Sequence, residues 1–329
     1  MVYNYCTLFD SFYLSRGLVL YESLKATTPN FKLYIFAFDT QADKVLRELR
    51  LPEVVVVSQA EFETPQLLKI KSERSRGEYC WTTTPVIIEY CINTYRLTHC
   101  TYLDADLFFF SNANQLVDLL GDKSVMITDH RYTPRYDQSK TSGKYCVQFM
   151  TFKNDNRGMT ALLWWKDRCL EWCYDRIENG KFGDQKYLDD WPTRFEGVYE
   201  LQHEGGGLAP WNIQQYHVVF NNKSLSVKSR ANASEWPVIF YHFHALRFLA
   251  IDKADLGTYT LKTYVINLIY RPYLDTLVKT NRLLLEYGVK FPLQSYTTKK
   301  RIPIGIHKTL RRLLGVYNIF SLNKLNNNV

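Results

Sequence analysis

Two aspartates, Asp104 and Asp106, interrupt the apolar run "CTYLDADLFFFSN". A carboxylate placed among apolar neighbours is costly unless it is paired, hydrogen-bonded or bound to a metal. One residue apart on an extended chain, the two point to the same side. The segment "CTYL" reads as a strand, and in an open α/β sheet ligands bind outside the carboxyl ends of the strands. Two converging carboxylates there form a hard-oxygen site for Mg²⁺ or Mn²⁺, which can in turn hold a diphosphate. The plainer alternative is an acidic pair that caps local N–H groups, and a bare D-x-D does not decide between the two.

Three further stretches carry groups of the kind such a site needs. "YHFHALRF" places His242 and His244 at the end of a late apolar strand with Arg247 close behind. A single strand histidine is ordinarily a satisfied core residue, whereas two flanked by an arginine suit a metal ligand beside diphosphate-binding groups. "GKFGDQKYLDDW" presents Asp184 and Gln185 directly after a glycine hinge, at a position where an acid could equally cap a helix. "HEGGGLAPWN" is a glycine-rich loop ending in Trp211 and Asn212, an aromatic and an amide suited to a sugar ring.

The elements that must position these groups alternate along the first half. "VYNYCTLF", "FKLYIFAF", "EVVVV", "CTYLD" and "SVMITD" read as strands, separated by helical stretches. Ser11 is expected to cap the first helix, and Pro85 to sit in the first turn of "TTPVIIEYCINTYR". This alternation predicts an α/β fold with a mixed, mainly parallel sheet covered by helices on both faces. "CVQFMTFK" is a further strand, Met159 to Ile177 a long helix, and the stretch beginning "TYTLKTYVINLIY" is helical. No G-x-G-x-x-G follows the first strand and no P-loop occurs, which argues against a dinucleotide or P-loop site. With no repeat or linker visible, residues 1–255 are expected to form one catalytic domain and residues 256–329 a helical extension.

Composition narrows the setting. The chain has 24 Tyr, 19 Phe and 7 Trp among 329 residues, most of them expected in the core. The beginning "MVYNYCTLFD" reads as a strand rather than a secretory leader, and no run of about 18 apolar residues is present. The seven cysteines make no zinc pattern and are expected to be buried free thiols, which favours a cytoplasmic location. The formal charge of +8 is confined to the end of the chain: from Tyr287 onward there are eight Lys/Arg and no acidic residue.

Taken together and in this order, "TLFDSFYLSRGLVLYESL", "YLDADLFFFSN", "DQKYLDDWP" and "YHFHALRF" resemble the nucleotide-diphospho-sugar transferases of the GT-A fold, in particular the retaining group of glycogenin and the bacterial lipooligosaccharide galactosyltransferases. The resemblance covers about residues 1–250. It implies a Rossmann-like sheet and transfer of a hexose from a nucleoside diphosphate, UDP by family habit, with Mn²⁺ or Mg²⁺ as cofactor and a glycan or lipid-linked acceptor in surface polysaccharide synthesis. It implies Asp104, Asp106 and His242 as metal ligands, and Arg247 near a phosphate-binding position with His244 beside it. Asp184 and Gln185 would lie beside the transferred sugar, and Thr7, Phe9 and Asp10 at the nucleoside edge. An arginine common near "EYCW" is replaced by Trp81, leaving Arg74 or Arg76 to supply the charge. The asparagine–glycine step common in the strand matching "YCVQF" is replaced by Cys146 and Gln148. Two other readings accommodate part of the pattern: a haloacid-dehalogenase-type phosphatase using Asp104 and Asp106, which Leu107 and the mid-chain position disfavour, and a non-catalytic sugar-binding protein at a membrane.

The tail adds a partner. Apolar residues recur at Ile306, Leu310, Leu313, Leu314, Tyr317 and Phe320, with Lys308, Arg311 and Arg312 on the expected opposite face and Lys299, Lys300 and Arg301 just upstream. Such a basic amphipathic helix suits an anionic membrane surface. No nucleic-acid module accompanies it.

Overall fold

The computed structural model describes residues 2–221, 224–293 and 304–322; Lys299, Lys300, Arg301 and Lys324 of the basic tail lie outside these. In chain order the first strands are β1 (Tyr3–Phe9), β2 (Phe31–Ala37), β3 (Val54–Ser58), β4 (His99–Leu103), β5 (Leu107–Phe109), β6 (Val125–Asp129), β7 (Tyr145–Lys153) and β8 (Val198–Glu200). Among the described residues seven of them form the central sheet, ordered β3-β2-β1-β4-β7-β6-β8. The β3-β2-β1-β4 half is parallel, and β7 runs antiparallel to both β4 and β6. The mixed, mainly parallel α/β architecture agrees with the sequence reading.

Both faces of this sheet are buried, and strand alternation divides its side chains between two cores. Tyr5, Phe9, Leu33, Ile35 and Leu103 face one core. Cys6, Leu8, Tyr34, Phe36, Cys100 and Tyr102 face the other. Helix α1 (Leu14–Thr27) covers the first face with Leu14, Leu18, Tyr21 and Leu24. The second is covered by α2 (Arg76–Thr94) and α3 (Asn156–Glu171), through Ile87, Ile88, Ile92, Leu162 and Trp165. Each such fully buried large apolar side chain contributes about 1.5–3 kcal/mol by leaving water. Gly17 lets α1 cross the end of β1 closely: a Cβ there would lie 2.1 Å from the Phe9 ring.

Several local expectations are corrected. Ser11 does not cap α1; its amide and hydroxyl both bond the Asp39 carboxylate. The turn into the helix is made instead by Asp10, whose Oδ1 accepts from the amides of Phe12 and Tyr13. Pro85 is not in a first turn but inside α2, which starts nine residues earlier at a Ser75/Glu78 capping box. Around the proline, Thr82, Thr83 and Thr84 bond back to the carbonyls of Glu78, Tyr79 and Cys80. The third helix begins at Asn156, capped by Asp155, and ends at Glu171 rather than Ile177.

The later strands are β9 (Tyr216–Asn221), β10 (Ser224–Ser229), β11 (Glu235–Pro237), β12 (Phe240–His242), β13 (Arg247–Ala250), β14 (Lys253–Asp255) and β15 (Ile319–Ser321). The short strand β12 pairs antiparallel with β5, and the tail strand β15 joins β13 and β14. Helix α4 (Arg271–Glu286) packs on α1, where Tyr273, Leu274 and Leu277 share a core with Val19.

Helix α5 (Ile304–Leu313) precedes β15, and one of its basic residues departs from the expected outward face. Arg311 turns inward, 4% exposed. It donates to both carboxylate oxygens of Asp255 at 2.7 Å and to the carbonyls of Gly257 and Val316. Leu310, Leu313 and Leu314 are exposed instead, beside Arg312 and the half-buried Lys308. Helical periodicity counts an arginine as an outward group; a buried carboxylate opposite it reverses that.

Candidate active site

The chain registers around β4 bring the predicted groups together. Beyond Leu103 the β4–β7 pairing continues with the Asp104 amide bonded to the Gln148 carbonyl at 3.1 Å. On the other side β5 pairs with β12 so that Leu107, which follows Asp106, lies opposite His242. The Phe243 amide bonds the Asp106 carbonyl at 3.0 Å. Two aspartates one residue apart and a histidine from late in the chain therefore meet at one edge. His242 Nε2 lies 3.1 Å from Asp106 Oδ1 and 3.8 Å from Asp104 Oδ2.

The surroundings fix these groups. Tyr102 donates its hydroxyl to Asp104 Oδ1 at 3.0 Å. His242 Nδ1 donates to Gln148 Oε1 at 2.8 Å, which leaves Nε2 facing the carboxylates. Burial pushes Asp104 up to about 6; the neighbouring Asp106 adds to this and His242 opposes it. Burial also acts on Asp106, but the charge and hydrogen bond of His242 outweigh it and hold that carboxyl at about 2. Against its own burial, His242 is raised well above the usual imidazole range by Asp106 and by contact with Cys146. Two carboxylates thus demand a positive charge, which an imidazolium supplies and a divalent cation can supply in its place. The donor set of carboxylate oxygens and one imidazole nitrogen with its far nitrogen already bonded fits Mn²⁺ or Mg²⁺.

These residues line a cleft of about 630 Å³. Phe9, Asp10, Arg76, Asp104, Asp106, Asp184, Gln185, Trp211, His242 and His244 of the predicted set all contribute to its wall. Asp184 is 5% exposed and is raised well above the usual carboxylate range by burial, with the charge of Asp104 adding. It caps no helix: the turn after it is a single 3-10 turn, Lys186–Leu188, with no side-chain cap. Its backbone is held instead by Trp165 Nε1, which donates to the Asp184 carbonyl at 2.9 Å. Gly183, at φ +53°, makes the bend that delivers Asp184 to the cleft. Gln185 Nε2 donates to the Ser142 carbonyl at 2.7 Å. At the other end of the cleft Arg76 pairs with Asp10 and reaches Asp39 at 3.4 Å.

Other predicted residues stand apart from the wall. Thr7 is fully buried within β1, Arg247 is exposed on β13, and neither lines the cleft. Asn212 is 1% exposed and holds the glycine loop. It accepts from the Ala209 amide and donates to the carbonyls of His130 and Gly207. Trp211 lies edge-on to His242 and His244, at 5.3 and 5.4 Å between ring centroids. Of the two candidate arginines Arg76 lines the cleft, while Arg74 is buried and stacks on Tyr174.

The sequence alone states no contact for Gln148 and no role for Arg16, which is 1% exposed. Arg16 sits under the Tyr13 ring at 4.5 Å, donates to the Leu246 carbonyl, and helps keep Asp106 ionised. Its signal in the sequence is slight, an arginine on an otherwise apolar helix face. Among the described residues two clusters have metal-ligand spacing: Asp104, Cys146 and His242 in the cleft, and Cys6, Cys91 and Cys100 in the core. All seven cysteines are free.

No protein-family model matches the chain. It is 30% identical over 261 residues to the uncharacterised protein YfnF of Bacillus subtilis, covering 77% of this chain and 84% of YfnF. It is 28% identical over 278 residues to YfnD of the same organism, covering 83% and 88%. Among solved structures it is similar to the galactosyltransferase LgtC in complex with donor and acceptor sugar analogues, with a TM-score of 0.52 at 12% identity over 84% of this chain and 95% of LgtC. It is also similar to the apo form of the glycosyltransferase GlyE of Streptococcus pneumoniae TIGR4, with a TM-score of 0.51 at 12% identity over 90% of this chain and 66% of GlyE. The chain belongs to the family of YfnF and has the GT-A fold of LgtC and GlyE.

Proposed function

We propose that the protein is a metal-dependent glycosyltransferase that moves a hexose from a nucleoside-diphosphate sugar, with UDP as the nucleotide, to a glycan or lipid-linked acceptor in surface polysaccharide synthesis. The observation that carries this reading is the meeting of Asp104, Asp106 and His242 at the carboxyl end of β4, with Asp184 in the same cleft. Asp104, Asp106 and His242 would hold Mn²⁺ or Mg²⁺. Such an ion neutralises charge growing on the departing diphosphate. The Asp10–Arg76 end of the cleft receives the nucleoside, and His244 and Trp211 flank the diphosphate. Arg247 contributes long-range positive charge rather than contact.

Asp184 faces the reacting sugar in this reading. Its raised pKa comes partly from the charge of Asp104, so neutralising Asp104 returns Asp184 toward the carboxylate that stabilises an oxocarbenium-like centre. Gln185 orients the sugar from the neighbouring position. An active-site glutamine variant of LgtC has been solved, which gives a precedent for a glutamine in such a cleft. In this reading residues 1–255 carry the chemistry and residues 256–329 are a C-terminal extension to it.

Among the described residues no helix is long and apolar enough to cross a membrane. The exposed Leu310, Leu313 and Leu314 with Lys308 and Arg312 support attachment to an anionic leaflet, where a lipid-linked acceptor would be found.

The test is a panel of sugar nucleotides assayed for cation-dependent release of nucleoside diphosphate, with a simple phosphate ester as control. Turnover of a sugar nucleotide but not the ester supports the transferase. Ester hydrolysis points to a phosphatase, and binding without turnover to a sugar-binding protein.

A further inference from the structure

We propose that Cys146 is itself a ligand of the cleft cation, so that the site combines carboxylate, imidazole and thiolate donors. This rests on the reading of Asp104, Asp106 and His242 as metal ligands given above. Cys146 is the second residue of β7 and is 4% exposed. Its Sγ, a carboxylate oxygen of Asp104 and a ring nitrogen of His242 all lie within 4.8 Å of one another.

The strand period explains the arrangement. Cys146 and Gln148 are two residues apart on β7, so their side chains leave the same face of the sheet. Gln148 takes His242 Nδ1 at 2.8 Å. The nitrogen left for a cation is Nε2, which faces Asp106 at 3.1 Å and Asp104 at 3.8 Å. Sulfur, an imidazole nitrogen and an Asp104 carboxylate oxygen then lie around one point, with Asp106 Oδ1 3.1 Å from His242 Nε2. On binding, the thiol proton leaves to water and Cys146 coordinates as the thiolate. A single thiolate shifts preference away from Mg²⁺ and toward Co²⁺ and Zn²⁺, because a soft donor gains least from a hard ion. The other side of Cys146 packs on Ala209 and Trp211, so the residue also forms wall; coordination is what separates the two roles.

The full chain titrated with Co²⁺ alone, without nucleotide, tests this. At one equivalent an intense near-ultraviolet thiolate-to-cobalt absorption is expected, absent in Cys146→Ser and in Cys146→Ala, while both variants keep visible cobalt bands. Should neither variant fold, X-ray absorption of the unaltered chain with one equivalent of Zn²⁺ decides the question. One sulfur at about 2.3 Å supports the proposal. No sulfur overturns it, as do three, which place the ion on Cys6, Cys91 and Cys100; an absorption surviving in Cys146→Ser overturns it equally. Failure here and failure of the transferase reading are distinct. A sulfur-ligated ion without sugar transfer keeps this inference and removes the other, and transfer with a sulfur-free ion does the reverse.

Discussion

Replacing Arg311 by methionine tests how the C-terminal segment is attached. Arg311 and Asp255 are 5% and 7% exposed at their side chains and meet at 2.7 Å. The guanidinium also satisfies the carbonyls of Gly257 and Val316. Methionine leaves the Asp255 carboxylate with the Gly257 amide at 3.1 Å but, among the described residues, no ion-pair partner. Removing one partner of such a buried pair costs about 3–5 kcal/mol. At about 2–4 °C per kcal/mol for a chain of this size, a global effect lowers Tm by on the order of 10 °C. If the segment detaches locally, the smaller Tm change is accompanied by loss of amide protection in Ile319–Ser321. The measurements are a thermal melt and hydrogen exchange, on Arg311→Met, Asp255→Leu and the double variant. The double variant should recover most of the loss, since an apolar pair of similar volume tolerates burial better than a stranded charge. A Tm within about 1 °C of the unaltered chain, together with unchanged protection, would refute the inward placement of Arg311. It would return this residue to the outward basic face, opposite the apolar stripe, that periodicity alone suggests.

Three further outcomes are expected. Asp184→Asn should reduce turnover by about 10²-fold or more with donor binding and Tm nearly unchanged, because Asp184 caps no helix; a large drop in Tm with proportional loss of activity would make it structural. Gln148→Leu should weaken Mn²⁺ binding by about 10–100-fold, measured by electron paramagnetic resonance, because His242 loses the acceptor that fixes its tautomer; unchanged affinity contradicts that role. Cation affinity should fall as pH falls through about 6, since Asp104 is carboxylate above that value and protonated below it, and His242 must also release a proton. Calorimetric titration from pH 5 to 8 reads this, and a flat profile opposes it.

Much of this was legible in local patterns. The alternation of apolar strands and helices specifies a sheet buried on both faces, and Asp104, Asp106 and His242 each announce themselves as polar groups at the end of an apolar strand. What was not legible depends on long-range contact. Gln148 meets His242 across 94 residues of chain, and nothing in "YCVQF" states which side chain it will face. Arg16 looks like an ordinary helix arginine until Leu246 supplies its acceptor. Arg311 reads as outward because periodicity cannot see Asp255. Ser11 reads as a helix cap, yet Asp10 makes the turn and Asp39 takes the serine. The start of α2 is a different kind of miss: the Ser75/Glu78 capping box was present in the sequence, but Pro85 drew the boundary.

The central claim, that Asp104 and Asp106 hold a cation through which a sugar nucleotide is activated, is tested most directly by one comparison. Release of nucleoside diphosphate from a sugar nucleotide is followed against Mn²⁺ concentration for the unaltered chain and for Asp104→Asn/Asp106→Asn. The account predicts Mn²⁺-dependent release by the unaltered chain, abolished by excess chelator and lowered by about 10²-fold or more in the double variant. Equal rates in the two proteins, or full activity in excess chelator, would contradict it.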